Sequence, residues 1–200
     1  MKKFLASALM LLAASTATFA QHAVGSFTLQ PKVGMNVASL TKSDNFDSRI
    51  GVAAGLEGEY QVSDIFSLSV GAIYSQQGNK IDKSILGQNF KYTNKLDYVN
   101  VPVMANVYVV PGLAVKVGVQ PGFNVNSKGK AVATTIAGSG DKTVELDAKS
   151  VDFSIPVGLS YEYKGVVLDA RYNWGVTKVW DNSDAKNSVF QITLGYKFEL

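Results

Sequence analysis

The sequence predicts an all-β protein: a transmembrane antiparallel up-and-down β-barrel of about eight strands, preceded by a secretory signal peptide. Three observations predict it. Apolar and polar residues alternate strictly through repeated segments, each segment is long, and short and long links alternate between them.

Residues 1–20 read as a signal. Lys2 and Lys3 are followed by an apolar run from Phe4 to about Ala14 and by small residues ending at Thr18-Phe19-Ala20. A membrane-spanning helix needs roughly 20 apolar residues, about twice this run. No Cys follows, so a lipoprotein anchor has no attachment point. The division expected is 1–20 signal peptide and 21–200 outer-membrane barrel, a single domain.

The final strand shows the pattern most clearly. Phe190, Ile192, Leu194, Tyr196 and Phe198 share one parity, whereas Gln191, Thr193, Gly195, Lys197 and Glu199 share the other. Side chains alternate faces along a strand, so the first set is read as facing lipid and the second as facing the lumen. The same alternation recurs around residues 27–39, 50–60, 65–77, 96–109, 113–126, 151–163 and 166–175. These segments run about 10 to 14 residues, beyond the five or six usual in globular proteins and enough for a tilted membrane strand. Length separates a membrane barrel from a soluble sandwich, because both alternate.

The links at 61–64, 110–112 and 164–165 are tight. Those at 41–49, 78–94, 127–149 and 178–187 are long and polar. Outer-membrane barrels place short turns in the periplasm and long loops outside, which puts both termini on the periplasmic side. Aromatic residues fall into two bands, Tyr60, Phe66, Tyr161, Tyr163, Tyr196 and Phe198 against Tyr74, Phe123, Phe153, Tyr172, Trp174 and Phe190.

Composition narrows the functions. The net charge of +3 includes Lys2 and Lys3, so the expected mature chain gives no reason to expect nucleic acid. Without cysteine there is no disulfide, thiolate metal site or cysteine nucleophile. His22 is the single histidine and precedes every strand, which removes Ser-His-Asp chemistry at a barrel rim and any two-histidine metal site. Asp44 with Asp47, and Asp181 with Asp184, lack the ligand spacing of a calcium loop and read as solvated charges. Gly138-Ser139-Gly140 reads as a loop tip. No cofactor, metal or catalytic residue is expected.

Eight strands enclose a lumen just wide enough for side chains to fill. The inward parity carries Lys32, Lys116, Arg171 and Lys197 with Glu57, Glu59, Asp152, Glu162, Asp169 and Glu199. Mixed signs in so narrow a space predict a network of paired charges, since an unpaired ion there would be poorly solvated. Inward Gly and Ala, among them Gly34, Gly55, Gly118 and Gly158, are expected to make room for it.

Several stretches carry a resemblance: Lys32-Val33-Gly34-Met35-Asn36, Ala72-Ile73-Tyr74-Ser75-Gln76-Gln77-Gly78, Tyr98-Val99-Asn100-Val101-Pro102-Val103, Val119-Gln120-Pro121-Gly122, Ala170-Arg171-Tyr172-Asn173 and Gly195-Tyr196-Lys197-Phe198. Through them the chain resembles the PorT-like outer-membrane β-barrel family of Bacteroidetes. The resemblance implies a fold and a location, outer-membrane lipid as surroundings and the assembly machinery as a partner during insertion. It implies no activity. The expected role is a non-enzymatic barrel whose long loops, foremost 127–149, meet an unknown protein or surface ligand; the alternative is a narrow channel for small solutes.

Overall fold

The structure, a computed structural model, describes residues 22–42, 47–85, 88–135 and 138–200, and no side chains within 83–90 or 133–139. The segment read as a signal peptide and Asp44 lie outside the described residues.

Lipid cannot hydrogen-bond to a peptide group, so a chain crossing it in strands must pair every strand on both edges. The described residues form eleven strands: β1 (Phe27–Leu40), β2 (Asp47–Ser63), β3 (Phe66–Ile85), β4 (Gln88–Asn100), β5 (Val103–Val110), β6 (Leu113–Thr135), β7 (Gly138–Glu145), β8 (Val151–Tyr163), β9 (Val166–Gly175), β10 (Asn187–Tyr196) and β11 (Phe198–Glu199). They form a ring of eight staves, since β4 with β5, β7 with β8, and β10 with β11 are interrupted single strands. Every pairing is antiparallel, and β10 closes the ring on β1.

Proline accounts for two of the interruptions. β4 and β5 keep one register against β3, Asn100 opposite Ile73 and Val103 opposite Val70, across a gap at Val101-Pro102. Proline has no N–H to give a ladder, and in a closed ring every strand is central. Gly71 and Val101 bridge the gap by donating to the carbonyls of Pro102 and Pro121, both close to 2.9 Å (2.9 and 2.8 Å). Pro31 lies where β1 meets the break between β10 and β11.

Register fixes the barrel's shape. Following paired neighbours from Phe27 leads through Tyr60, Leu68, Ala105, Val117, Val157, Tyr172 and Phe190 back to β1 at Val37. One circuit therefore climbs ten residues of β1, from Phe27 to Val37. Such a stagger tilts the strands and sets a narrow bore. Glycine permits the tight coiling: a Cβ on Gly34 would stand 1.9 Å from the Ile192 carbonyl oxygen, and one on Gly118 2.1 Å from that of Val103. These glycines let neighbouring backbones approach, a different service from the side-chain room expected of them.

Outward parity is apolar across the width of the belt. In the closing strand Phe190, Ile192, Leu194, Tyr196 and Phe198 are exposed, whereas Gln191 and Thr193 are buried. Tyr60, Tyr163 and Tyr196 ring one end; Tyr74, Phe123, Phe153, Tyr172 and Trp174 ring the other. An apolar belt this extensive is a lipid surface.

Two expected loops are strands. Residues 78–94 and 127–149 hold the upper parts of β3 and β6 with β4 and β7, and form hairpins that carry the sheet beyond the belt. Alternation had marked strands by the contrast between a lipid face and a lumen face. Above the membrane both faces meet water, so the contrast disappears while the pairing continues. Gly138-Ser139-Gly140 opens β7, and its residues pair with Thr135, Thr134 and Ala133.

Leu194, opposite Val33 and Leu168 in the middle of the belt, should be costly to charge. Leu194→Arg should lose about 2–4 kcal/mol in urea titrations of folding into vesicles, and Leu200→Arg, beyond the last strand, about 0–1. Equal losses would contradict this placement of the belt.

Candidate functional site in the barrel lumen

Inward positions of β1, β2, β6 and β9 meet near the middle of the lumen. Lys32 Nζ lies 2.8 Å from Glu57 Oε2, and Lys116 Nζ lies 2.7 Å from Glu57 Oε1 and 3.1 Å from Asp169 Oδ2. Arg171 holds Asp169 with two prongs, Nε to Oδ1 at 2.8 Å and Nη2 to Oδ2 at 2.7 Å, and reaches Glu57 at 3.2 Å. All five side chains are buried. A planar guanidinium fits a carboxylate in this way and fixes its orientation.

A second cluster lies toward the short-turn end. Lys197 Nζ sits 2.9 Å from both Glu59 and Glu162. Glu59 also accepts from Ser67 Oγ at 2.6 Å and from the Tyr108 hydroxyl. Lys197 occupies the break between β10 and β11, where its N–H donates to the Gly165 carbonyl at 2.7 Å. Taken together, Lys32, Lys116, Arg171 and Lys197 face Glu57, Glu59, Glu162 and Asp169, so the two clusters balance in charge.

Two of the residues expected in the network lie apart from it. Asp152, higher in the lumen, accepts from Thr177 Oγ1 and from Asn187 Nδ2 at 3.0 Å, so neutral donors satisfy it. Glu199 lies at the lower rim, largely exposed, 3.9 Å from His22 Nδ1. Strand parity places both inward or at the rim but does not encode their height along the barrel axis.

His22, which precedes every strand, is nonetheless tied to the barrel. Its Nε2 is 3.1 Å from Glu162 Oε1, and the segment after it is held by Gly25 N–H to the Gln61 carbonyl at 2.8 Å. The side chain stands over the lower mouth of the lumen. The hydrogen bond to Glu162, with the charge of that carboxylate and of Glu199, raises the His22 pKa above 6.5 against burial and Lys197.

The upper mouth closes differently. Leu40, Leu96 and Tyr98 meet Val179 and Ala185 of the segment joining β9 to β10, and Ala148 and Trp180 pack against them. This segment is pinned by Lys149 N–H to the Val179 carbonyl and Thr41 N–H to the Lys186 carbonyl, each 2.9 Å. Asp181 pairs with Lys149 at 2.7 Å, and Asp184 with Lys178 at 2.6 Å and Lys42 at 3.2 Å. Val179 and Trp180 in a polar stretch were the signal in the sequence for this cap, which parity alone overlooks.

A ring of eight staves with an apolar belt outside and paired charges inside defines a transmembrane β-barrel of the outer membrane. The chain belongs to the family described as outer membrane protein beta-barrel domain, whose model matches residues 19–181. No curated protein sequence matches it. Among solved structures it is similar to Ail, the attachment invasion locus protein of Yersinia pestis, in complex with the heparin analogue sucrose octasulfate: 14% identity, TM-score 0.48, covering 88% of this chain and 99% of that one. It is similar also to Neisserial surface protein A, at 16% identity and TM-score 0.46 over 86% of this chain and 97% of that one. A third is the N-terminal β-barrel domain of Pseudomonas aeruginosa OprF, at 12% identity and TM-score 0.36 over 88% of this chain and 98% of that one.

The central cluster holds three cations, Lys32, Lys116 and Arg171, and two anions, Glu57 and Asp169. Removing an anion should therefore hurt more than removing a cation. Asp169→Asn should cost about 3–5 kcal/mol in urea unfolding, Lys116→Met clearly less. A second expectation concerns pH. Because folding raises the His22 pKa, its stabilising contribution is full below pH 6.5 and lost as pH rises through the folded value. The stability gap between the parent and His22→Ala should accordingly shrink from pH 5.5 toward pH 8.5, and a gap that widened would refute the contact.

Proposed function

We propose that the protein is a non-conducting, non-enzymatic outer-membrane barrel that presents its hairpins β3–β4 and β6–β7 to a ligand or partner outside the cell. The observation that carries this reading is the double closure of the lumen: charge clusters around Glu57 and Glu59 below, the apolar cap around Tyr98 and Val179 above. An ion crossing it would have to displace a buried, neutralised network and then an apolar seal. Beyond the belt the β3–β4 hairpin is paired from Ser75 to Ile85 and the β6–β7 hairpin from Lys128 to Thr135, which favours a preformed contact surface over flexible loops.

In the same reading residues 1–20 are a cleaved secretory signal, the short turns and both termini face the periplasm, and the assembly machinery inserts the chain. Within its family we place the protein beside the PorT-like barrels of Bacteroidetes, on the stretches around Lys32, Tyr98 and Tyr196, without the secretion role of their namesake. The rival reading, a narrow channel, requires the closures to open.

Planar-bilayer recording of the purified barrel should show no stable discrete steps; such steps would sink the closed-lumen reading. Orientation is tested on intact cells with a membrane-impermeant maleimide, using the natural absence of cysteine. Gly140→Cys, with open space around its Cβ, should label, and Lys164→Cys in the short turn should not. Reversed labelling would overturn the orientation.

A further inference from the structure

The exterior just above the apolar belt is asymmetric. On β3, β4 and β6 an outward apolar row is formed by Tyr74, Val99 and Phe123, with Val125 exposed above Phe123, and in the next row Asp97 stands opposite Asn126 but is buried against Arg49. Continuing upward on the same face come Lys95 and Lys128, directly opposite one another, then Lys80 and Lys130 on either side of Thr93. On β8, β9, β10 and β1 the outward positions at the upper end are Val151, Phe153, Tyr172, Trp174, Phe190 and Val37, with no cation.

The lysines differ in what they meet. The higher ones have partners within the sheet: Lys91 pairs with Asp82 and Lys130 with Asp141, each at 3.1 Å. Among the described residues Lys80, Lys95 and Lys128 make no ion pair, although Asp47 stands opposite Lys80 and Glu145 opposite Lys128 in the ladder. Like charges directly opposite on neighbouring strands repel, so the Lys95–Lys128 pair destabilises the sheet unless an anion lies between them.

Position suggests where that anion comes from. Lys95 is four residues above Val99, which at about 3.3 Å per residue and with barrel tilt is roughly 10 Å above the row of Tyr74, Val99 and Phe123. Long lysine stems reach back toward the interface, and the headgroup layer on each side of a bilayer is about 5–8 Å thick. The ammonium groups thus come to the level of lipid phosphates, on a surface that lipid already contacts. We propose that Lys80, Lys95 and Lys128 form a one-sided strip that binds the phosphate groups of membrane lipids. The strip orders lipid along the β3–β4–β6 flank, and the lipid phosphates lie against lysines that make no ion pair among the described residues. It depends neither on the closed lumen nor on which membrane face the hairpins occupy.

The test uses the full barrel refolded into phosphatidylcholine vesicles with a trace of spin-labelled lipid, reading the motionally restricted fraction by electron spin resonance. Phosphatidic acid should be favoured over phosphatidylcholine by roughly fivefold or more, since each lysine near an anionic surface contributes about that factor. The preference should fall away in 0.5 M salt. Lys80→Gln, Lys95→Gln and Lys128→Gln together should bring it near unity, Lys95→Gln alone should lower it, and Lys91→Gln with Lys130→Gln should leave it in place. Absence of a preference in the parent barrel, or its survival in the triple variant, would overturn the proposal. So would its abolition by inorganic phosphate at matched concentration, which would mark a site for soluble anions instead. The conductance recording is read separately, so either result stands without the other.

Discussion

A peptide group placed in hydrocarbon finds a hydrogen-bond partner only in another peptide group, and the whole molecule follows from meeting that requirement. Strands paired on both edges must close into a ring, and here the ring closes β10 onto β1 after a climb from Phe27 to Val37. Closure at eight staves leaves a bore no wider than the side chains that enter it. The same constraint explains why Pro102 interrupts its own stave and why Pro31 faces the break between β10 and β11: neither has an N–H to give the ladder.

A narrow bore then dictates its contents. Every second residue points inward, and the inward residues of a membrane strand are polar because apolar ones face lipid. Charges forced together without much water must neutralise one another locally, which is what Arg171 does for Asp169 and Lys197 for Glu59 and Glu162. Their mutual attraction does not make the barrel stable by itself, because each ion was desolvated to reach its partner. It makes one registration of the strands far better than its neighbours, since a slip of one residue would turn Glu57 and Arg171 toward lipid. The network therefore acts chiefly on specificity of register.

Legibility in the sequence follows the same physics. The final strand was readable because Leu194 and Thr193 meet different solvents, and the parity of Lys32, Glu57, Lys116, Asp169 and Arg171 was readable for the same reason. Their convergence was not, since parity states which way a side chain points and says nothing of height around a tilted ring. Asp152 shows this: its parity matches Asp169, yet it sits among Thr177 and Asn187. The upper parts of β3 and β6 escaped because water bathes both faces there, and residues such as Asn94 and Lys95 no longer contrast. His22 escaped because one polar residue ahead of the first strand has no period, and only its contact with Glu162 gives it a place.

The two closures of the lumen differ in kind, and that difference bears on how the protein works. The lower one is built from charged side chains on six staves of the ring, so opening it requires breaking buried ion pairs or the ring itself. The upper one is a single segment, residues 176–186, held by a few backbone hydrogen bonds, a small apolar cluster and ion pairs of Asp181 and Asp184 that water screens. Surface pairs and short apolar contacts are the kind of structure that opens locally without unfolding the rest. Motion at the upper end would open the lumen at the level of Asp152 and Asn187, while the Arg171 cluster lies lower in the bore. Mobility of the cap is thus compatible with the closed lumen of the proposed function, in which the upper surface adapts to a ligand while the ion-paired cluster beneath keeps the bore filled.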